Sequence, residues 1–162
     1  MFEDMPERSV SSRQPGQGFS CVLICEADDL GRRTYEALID NGIDVKAIWS
    51  CNTAAYYTKS HFRLAFSSKK TRQKHKFSVL AQNHKSKIVD ISGRDEKCLN
   101  DALARSDQPD FILIAGSMVI ISAAFLDNLA IPIINIHPTL LPAYRGPAPY
   151  PALFMNISFS RI

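Results

Sequence analysis

Two continuous apolar runs limit the folds open to this chain more than any other feature of its sequence. Cys21 to Cys25 and Phe111 to Ala115 each pass through five positions without a polar side chain. Such runs are typical of strands that helices cover on both faces. Segments with helical spacing and polar turn residues lie between the runs. The pattern therefore predicts an α/β fold with an open, mostly parallel sheet and helices on both faces.

The chain can be divided into predicted elements from its periodicity and turn residues. Residues 1–18 are rich in Ser, Gln, Pro and Gly and are predicted to be a disordered tail, which leaves 19–162 as one domain. Asp28 and Asp29 are predicted to cap a first helix that Asn41-Gly42 closes. The remaining predictions are strands at 45–49, 88–91, 111–115 and 133–136, and helices at 77–83, 95–105 and after Ser122.

Composition and charge exclude several classes of protein. No apolar run approaches the roughly 20 residues of a membrane helix, and the acidic N-terminus does not resemble a secretory signal. The four cysteines are widely separated, which argues against a metal site and fits a reducing cytoplasm. Net charge is only +3, yet residues 45–89 contain ten Lys or Arg and no Asp or Glu. A one-sign block of this kind is typical of a mobile arm or of a surface that binds a polyanion.

A polar pair at the end of the last predicted strand is the strongest candidate for chemistry. Asn135 and His137 are two residues apart, so on a strand both side chains point from the same face. Pro138 disfavours a helical conformation at His137. An amide and an imidazolium can stabilise the oxyanion that forms when an amine attacks an acyl carbon. A histidine can also carry the proton, because imidazoles titrate near neutral pH.

The same segment resembles a known family. The run Asn135-Ile-His-Pro-Thr-Leu-Leu-Pro-Ala-Tyr-Arg-Gly146 is very similar to the signature of the folate-dependent formyltransferases, and residues 109–122 are similar to the preceding strand and loop of that family. The resemblance implies a Rossmann-like N-terminal domain that transfers a formyl group from 10-formyltetrahydrofolate to a primary amine. The form of the Arg145 loop is closer to the methionyl-tRNA formyltransferases than to the glycinamide ribonucleotide enzymes.

The resemblance also assigns roles to residues. It implies that Asn135 and His137 are catalytic, and that Arg145 and Gly146 contact the amine substrate. It implies a tRNA contact through the basic segment Lys59 to Lys76. The residues that would surround the pteridine of the folate are Met118, Val119, Ile120, Ile121, Thr139, Leu140, Leu141 and Pro142.

Two departures from the family pattern leave alternatives open. The turn after the first strand is Glu26-Ala27-Asp28-Asp29, whose acidic side chains would repel a phosphate. The catalytic aspartate of the family lies beyond the Arg-Gly loop, and residues 155–162 do not resemble the family's continuation. We therefore expect a domain that is incomplete at its C-terminal end, with weak transferase activity or none. The alternatives are a glycinamide ribonucleotide or sugar N-formyltransferase, a remnant that at most binds folate, and a basic RNA-binding module.

Overall fold

The structure is a computed structural model that describes residues 18–53, 77–117 and 119–137. Every strand and helix that the sequence predicts within these ranges is present. In chain order the elements are β1 (Ser20–Ile24), α1 (Asp29–Asp40), β2 (Asp44–Ser50), α2 (77–83), β3 (Lys87–Asp90), α3 (Glu96–Ala104), β4 (Phe111–Ala115), α4 (Ala123–Asn128) and β5 (Ile133–Ile136).

The five described strands form one sheet in the order β3-β2-β1-β4-β5. All four pairings between neighbouring strands are parallel, so the predicted mostly parallel sheet is confirmed. The chain moves outward from β1 to β3, then returns to the other side of β1 with β4. Crevices outside the carboxyl ends of such strands are where open α/β sheets bind ligands.

Two apolar clusters lie on opposite faces of the sheet. On the first face, β-strand residues such as Leu23 and Leu113 pack with Tyr35 of α1 and Phe77 of α2. On the second face, Ile112 and its neighbours pack with residues of α3 and α4, among them Leu99, Ala102 and Phe125. The prediction of helices on both faces is therefore confirmed. Since β1 and β4 contribute to both clusters, their uninterrupted apolar runs follow from burial on both sides.

The three helices with described caps begin where a short polar side chain replaces a missing intrahelical bond. The side chains of Asp28, Asp95 and Ser122 accept hydrogen bonds from backbone N–H groups of the first turns of α1, α3 and α4. Asn41 ends α1, and Gly42 then turns the chain into β2 with a φ of +72°. These contacts satisfy groups that every helix end leaves unpaired, and they fix where each helix meets the sheet.

Two buried hydroxyl groups satisfy the polar atoms of the largest aromatic side chains. Trp49 Nε1 donates to Ser106 Oγ at 2.9 Å, and Ser106 Oγ donates to the Ala102 carbonyl at 2.7 Å. On the other face, the Tyr35 hydroxyl lies 2.6 Å from Ser86 Oγ. Both aromatic residues can therefore be fully buried without leaving a polar atom unpaired.

Candidate functional site

The polar pair predicted from the sequence lies at the carboxyl end of β5, at one edge of the described sheet. Asn135 pairs in register with Ile114 of β4, so it belongs to the sheet face that carries α3 and α4. Its side chain is exposed, whereas His137 is half-buried and follows directly after the strand. An exposed amide and a half-buried imidazole at this edge are accessible to a ligand.

The loop after β4 is predicted to form an apolar wall for the folate, and three of the residues predicted for that wall are described: Val119, Ile120 and Ile121. Val119 and Ile121 pack against the apolar cluster of the second face, so these two residues contribute to the core. Ile120 lies between them and is 72% exposed. Of the three described residues, Ile120 therefore has the most exposed side chain.

Several predicted site residues fall outside the part of the chain that the structure describes. They are Met118, Thr139, Leu140, Leu141, Pro142, Arg145, Gly146 and the whole of the basic segment Lys59 to Lys76. Their predicted roles stay predictions.

The turn between β1 and α1 is acidic and is already bonded internally. The Asp28 carboxylate accepts a hydrogen bond of 2.8 Å from the Gly31 N–H. Asp29 forms ion pairs with Arg32 and Arg33, whose hydrogen bonds hold the pKa of the Asp29 carboxyl below its ordinary value. The Ser50 hydroxyl at the end of β2 donates to Glu26 at 3.5 Å. Because the Gly31 N–H is already paired with a carboxylate, it is not available to a phosphate. That a phosphate is disfavoured at this turn stays a prediction.

One apolar residue at this edge did not stand out in the sequence. Leu30, in the first turn of α1, is 52% exposed and lies against Gly116, the residue that follows β4. The buried side of α1 is formed by Gly31, Tyr35 and Leu38, which follow helical spacing. Leu30 lies outside that set. A leucine off the buried face of a predicted helix is the sequence feature that could have indicated an exposed apolar contact here.

The described residues hold neither a metal cluster nor a membrane-spanning helix. No group of three or more His, Cys, Asp or Glu side chains in these ranges could bind a metal ion. None of the helices in the same ranges is long and apolar enough to cross a bilayer. A cavity of about 760 Å³ opens at the amino ends of β4 and β5, lined by Leu103, Pro109, Ile131 and neighbouring residues. It is distant from the strand end that carries Asn135.

Comparison with known proteins identifies the family. A family model described as "Formyl transferase" matches residues 20–156, which include every described strand. The chain belongs to the formyl transferase family. Among curated proteins, this chain is 30% identical over 137 residues to the methionyl-tRNA formyltransferase of Lactobacillus gasseri. It is 36% identical over 78 residues to the protein of the same name from Sulfurovum.

The matches cover much of this chain but less of each relative. The Lactobacillus alignment includes 85% of this chain and 40% of the relative, and the Sulfurovum alignment includes 48% of this chain and 25% of the relative. Among solved structures, phosphoribosylglycinamide formyltransferases from Anaplasma phagocytophilum and Coxiella burnetii match with TM-scores of 0.59 and 0.57. Their identities are 16% and 21%, with 86% of this chain covered and 59% and 61% of theirs. These two structures establish the shared Rossmann-like fold.

Proposed function

We propose that this protein transfers a formyl group from 10-formyltetrahydrofolate to the amino group of methionyl-tRNA. The observation that carries the proposal is the placement of Asn135 and His137 at the carboxyl end of β5 in a member of the formyl transferase family. The curated relatives named above support methionyl-tRNA as the acceptor. The phosphoribosylglycinamide enzymes share the fold alone, and the acidic turn after β1 disfavours a ribonucleotide acceptor whose phosphate would bind at that turn.

The donor would lie against the loop after β4. The flat, largely apolar pteridine ring requires an apolar surface beside groups that can read its polar edge. The exposed Ile120 side chain offers such a surface within the described part of the loop. Met118 and the segment Thr139 to Pro142 would complete it.

The transfer needs one bond to form and one to break. The neutral amine attacks the formyl carbon, its nitrogen bonds to that carbon, and the carbonyl electrons move onto the oxygen. Asn135 would donate a hydrogen bond to that oxyanion, and His137 would stabilise it and pass the amine proton onward. The bond between carbon and N10 of the folate then breaks, and N10 takes up a proton. The products are N-formylmethionyl-tRNA and tetrahydrofolate.

Alanine variants of the two polar residues test the proposal. Asn135→Ala and His137→Ala in the full-length protein should each lower kcat/KM for methionyl-tRNA formylation by about 10²–10³, because each removes a group that stabilises the transition state. The affinity for the folate, measured by fluorescence titration, should change little. Asn128→Ala on α4 and His84→Ala after α2 are matched controls, because both wild-type side chains are exposed and lie outside the β5 edge.

Other outcomes would select a different function. Folate binding without formyl transfer to methionyl-tRNA or any other amine would indicate a protein that only binds the donor. Formylation of a glycinamide ribonucleotide or an amino sugar in preference to methionyl-tRNA would reassign the acceptor. Salt-sensitive RNA binding in a protein that does not bind folate would indicate an RNA-binding module.

The basic segment Lys59 to Lys76 is proposed to contact the tRNA phosphates. Replacing Lys69 and Lys70 together by Gln should weaken methionyl-tRNA binding and reduce the slope of log affinity against log salt by about 1.5, since each lost phosphate contact contributes slightly less than one unit. The affinity for folate should stay the same. An unchanged salt slope would remove this segment from the tRNA interface.

A further inference from the structure

The first turn of α1 places an apolar side chain directly over the end of β4. A methyl group built on Gly116 would come within 2.6 Å of Leu30 Cδ2 and 3.3 Å of Leu30 Cγ. Gly116 itself has a φ of +65°, in the left-handed region that favours glycine. At this residue the chain leaves β4 and enters the candidate donor loop. Leu30 therefore lies on bare backbone at the base of that loop, with about half of its surface exposed.

Leu30 and the donor loop lie on different sides of the strand ends. Ile136, the last residue of β5, pairs with Ala115, and Ala115 belongs to the cluster that packs with α1. Ile136 is 51% exposed on that same side. The loop after β4 packs through Val119 and Ile121 into the opposite cluster. Exposed apolar side chains thus flank the β5 edge on both sides: Leu30 and Ile136 on the α1 side, and Ile120 in the loop.

Formyl transfer requires one surface that binds the donor and a separate surface that binds the acceptor. In the tetrahedral intermediate the attacking nitrogen and N10 of the folate occupy different positions on one carbon, so donor and acceptor approach from different directions. If the loop after β4 covers the donor, the α1 side is left for the acceptor. This step rests on the proposed function.

The α1 side does not suit an anionic group. Asp28 already occupies the Gly31 N–H, and Glu26 adds a second carboxylate near the helix start. Arg32 and Arg33 are paired with Asp29. A helix N-terminus attracts phosphate through its unpaired N–H groups. Here the Gly31 N–H already donates to the Asp28 carboxylate. The apolar surface of Leu30 is therefore the feature of this side that an uncharged part of the acceptor, such as an amino-acid side chain, can contact.

We propose that Leu30, lying over Gly116, is a specificity-determining residue that contacts the apolar side chain beside the reactive amine of the acceptor. It would favour a methionyl ester over an ester with a smaller side chain. Removing a few methyl or methylene contacts in an apolar site typically changes discrimination by about 10-fold or more.

The test compares two acceptors that differ only in the amino acid. The same tRNA is acylated with methionine or with alanine, and kcat/KM for formylation is measured in the full-length protein. Leu30→Ala should lower kcat/KM for the methionyl acceptor by about 10-fold. It should leave the alanyl acceptor and the KM for 10-formyltetrahydrofolate unchanged. Leu30→Gln keeps the volume but adds a polar group, and it should reduce discrimination by a similar factor without opening a gap.

Leu126→Ala is the matched control, because Leu126 is a 43% exposed leucine on α4, away from Gly116. It should not change discrimination. An equal loss for both acceptors with Leu30→Ala, or a raised KM for the folate, overturns the assignment of Leu30 and leaves the proposed function standing. A wild-type protein that formylates neither tRNA overturns both proposals.

Discussion

The indole of Trp49 depends on a single buried hydroxyl. Ser106→Ala removes the acceptor of the Trp49 Nε1 proton and leaves that N–H unpaired in the core. We expect the free energy of unfolding to fall by about 1–3 kcal/mol, the usual cost of a buried unsatisfied donor. Urea titration monitored by far-UV circular dichroism measures it, because this signal is also available in variants that lack Trp49.

The matching variant is Trp49→Phe, combined with Ser106→Ala in a double-mutant cycle. In the double variant no indole N–H is left to satisfy, so the two losses should not add. Strictly additive losses would show that the hydrogen bond contributes nothing.

Alanine variants of Gly116 and Gly42 distinguish the stability cost of a steric contact from the cost of backbone strain. Both have a positive φ, but a Cβ on Gly116 would meet Leu30, whereas a Cβ on Gly42 would meet nothing within 4 Å. Gly42→Ala should therefore cost only the left-handed backbone penalty of about 1–2 kcal/mol. Gly116→Ala should cost more, and Leu30→Ala in the same chain should restore part of the difference. Equal losses of unfolding free energy in Gly116→Ala and Gly42→Ala, measured by thermal or urea unfolding, would show that the Leu30 side chain moves aside at little cost.

Cys21 makes stability sensitive to alkaline pH. Burial raises the pKa of its thiol from 9.0 to about 12, with the Asp44 and Asp110 carboxylates adding to the effect. Because the folded state holds the proton more tightly than the unfolded state, the contribution is complete below pH 9 and is lost between pH 9 and 12. The stability difference between wild type and Cys21→Ala should be constant up to about pH 8 and then move against the wild type. A difference that stays flat to pH 11 would contradict the prediction.

Sequence reasoning reached some site residues and missed others for physical reasons. The sequence was sufficient to place Asn135 and His137 on one face at the carboxyl end of a strand. Side-chain alternation and the position where a strand ends both depend on nearby residues. The different exposure of neighbouring residues in the loop after β4 could not be predicted, since Val119 and Ile121 are partly buried against a cluster assembled from several strands and helices. Leu30 was missed because its importance depends on Gly116, 86 positions later.

Among the elements, β5 is the strand whose burial is least complete. Ile134 is 50% exposed, although its register partner Leu113 is buried. Ile112→Ala should cost about 2–5 kcal/mol because that side chain is fully enclosed. We expect Ile134→Ala to cost less than half as much in the same urea titration. Comparable losses would mean that Ile134 is covered in solution by another part of the protein or by a second molecule.

Periodicity and capping residues were sufficient to predict every described helix and strand to within one or two residues. Caps such as Asp28 and Ser122 act on their own first turns, so their effect can be read locally. The order of the strands was beyond such patterns. It depends on contacts such as the Asp110 carboxylate, which accepts hydrogen bonds from both the backbone N–H and the hydroxyl of Ser20, 90 positions away. That contact aligns the start of β4 with the start of β1.

At the scale of the whole molecule, the sheet divides the core into two halves that should respond independently. Ile48 belongs to the cluster with α1 and α2, and Ile112 belongs to the cluster with α3 and α4. Their strands, β2 and β4, are separated by β1. Each Ile→Val change should cost about 0.5–1.5 kcal/mol. The double variant should show the sum to within about 0.5 kcal/mol, as for sites without shared neighbours.

A pair within one half provides the contrast. The rings of Tyr35 and Phe77 are 5.4 Å apart between centroids and belong to the same cluster. Replacing each by Leu, singly and together, should give a coupling free energy of about 0.5–1.5 kcal/mol, because the second change removes a contact already lost. Coupling of that size between Ile48 and Ile112 would mean that β1 transmits packing changes from one face to the other. The carboxyl edge could then not be altered on its α1 side, at Leu30, without disturbing the donor loop on the other.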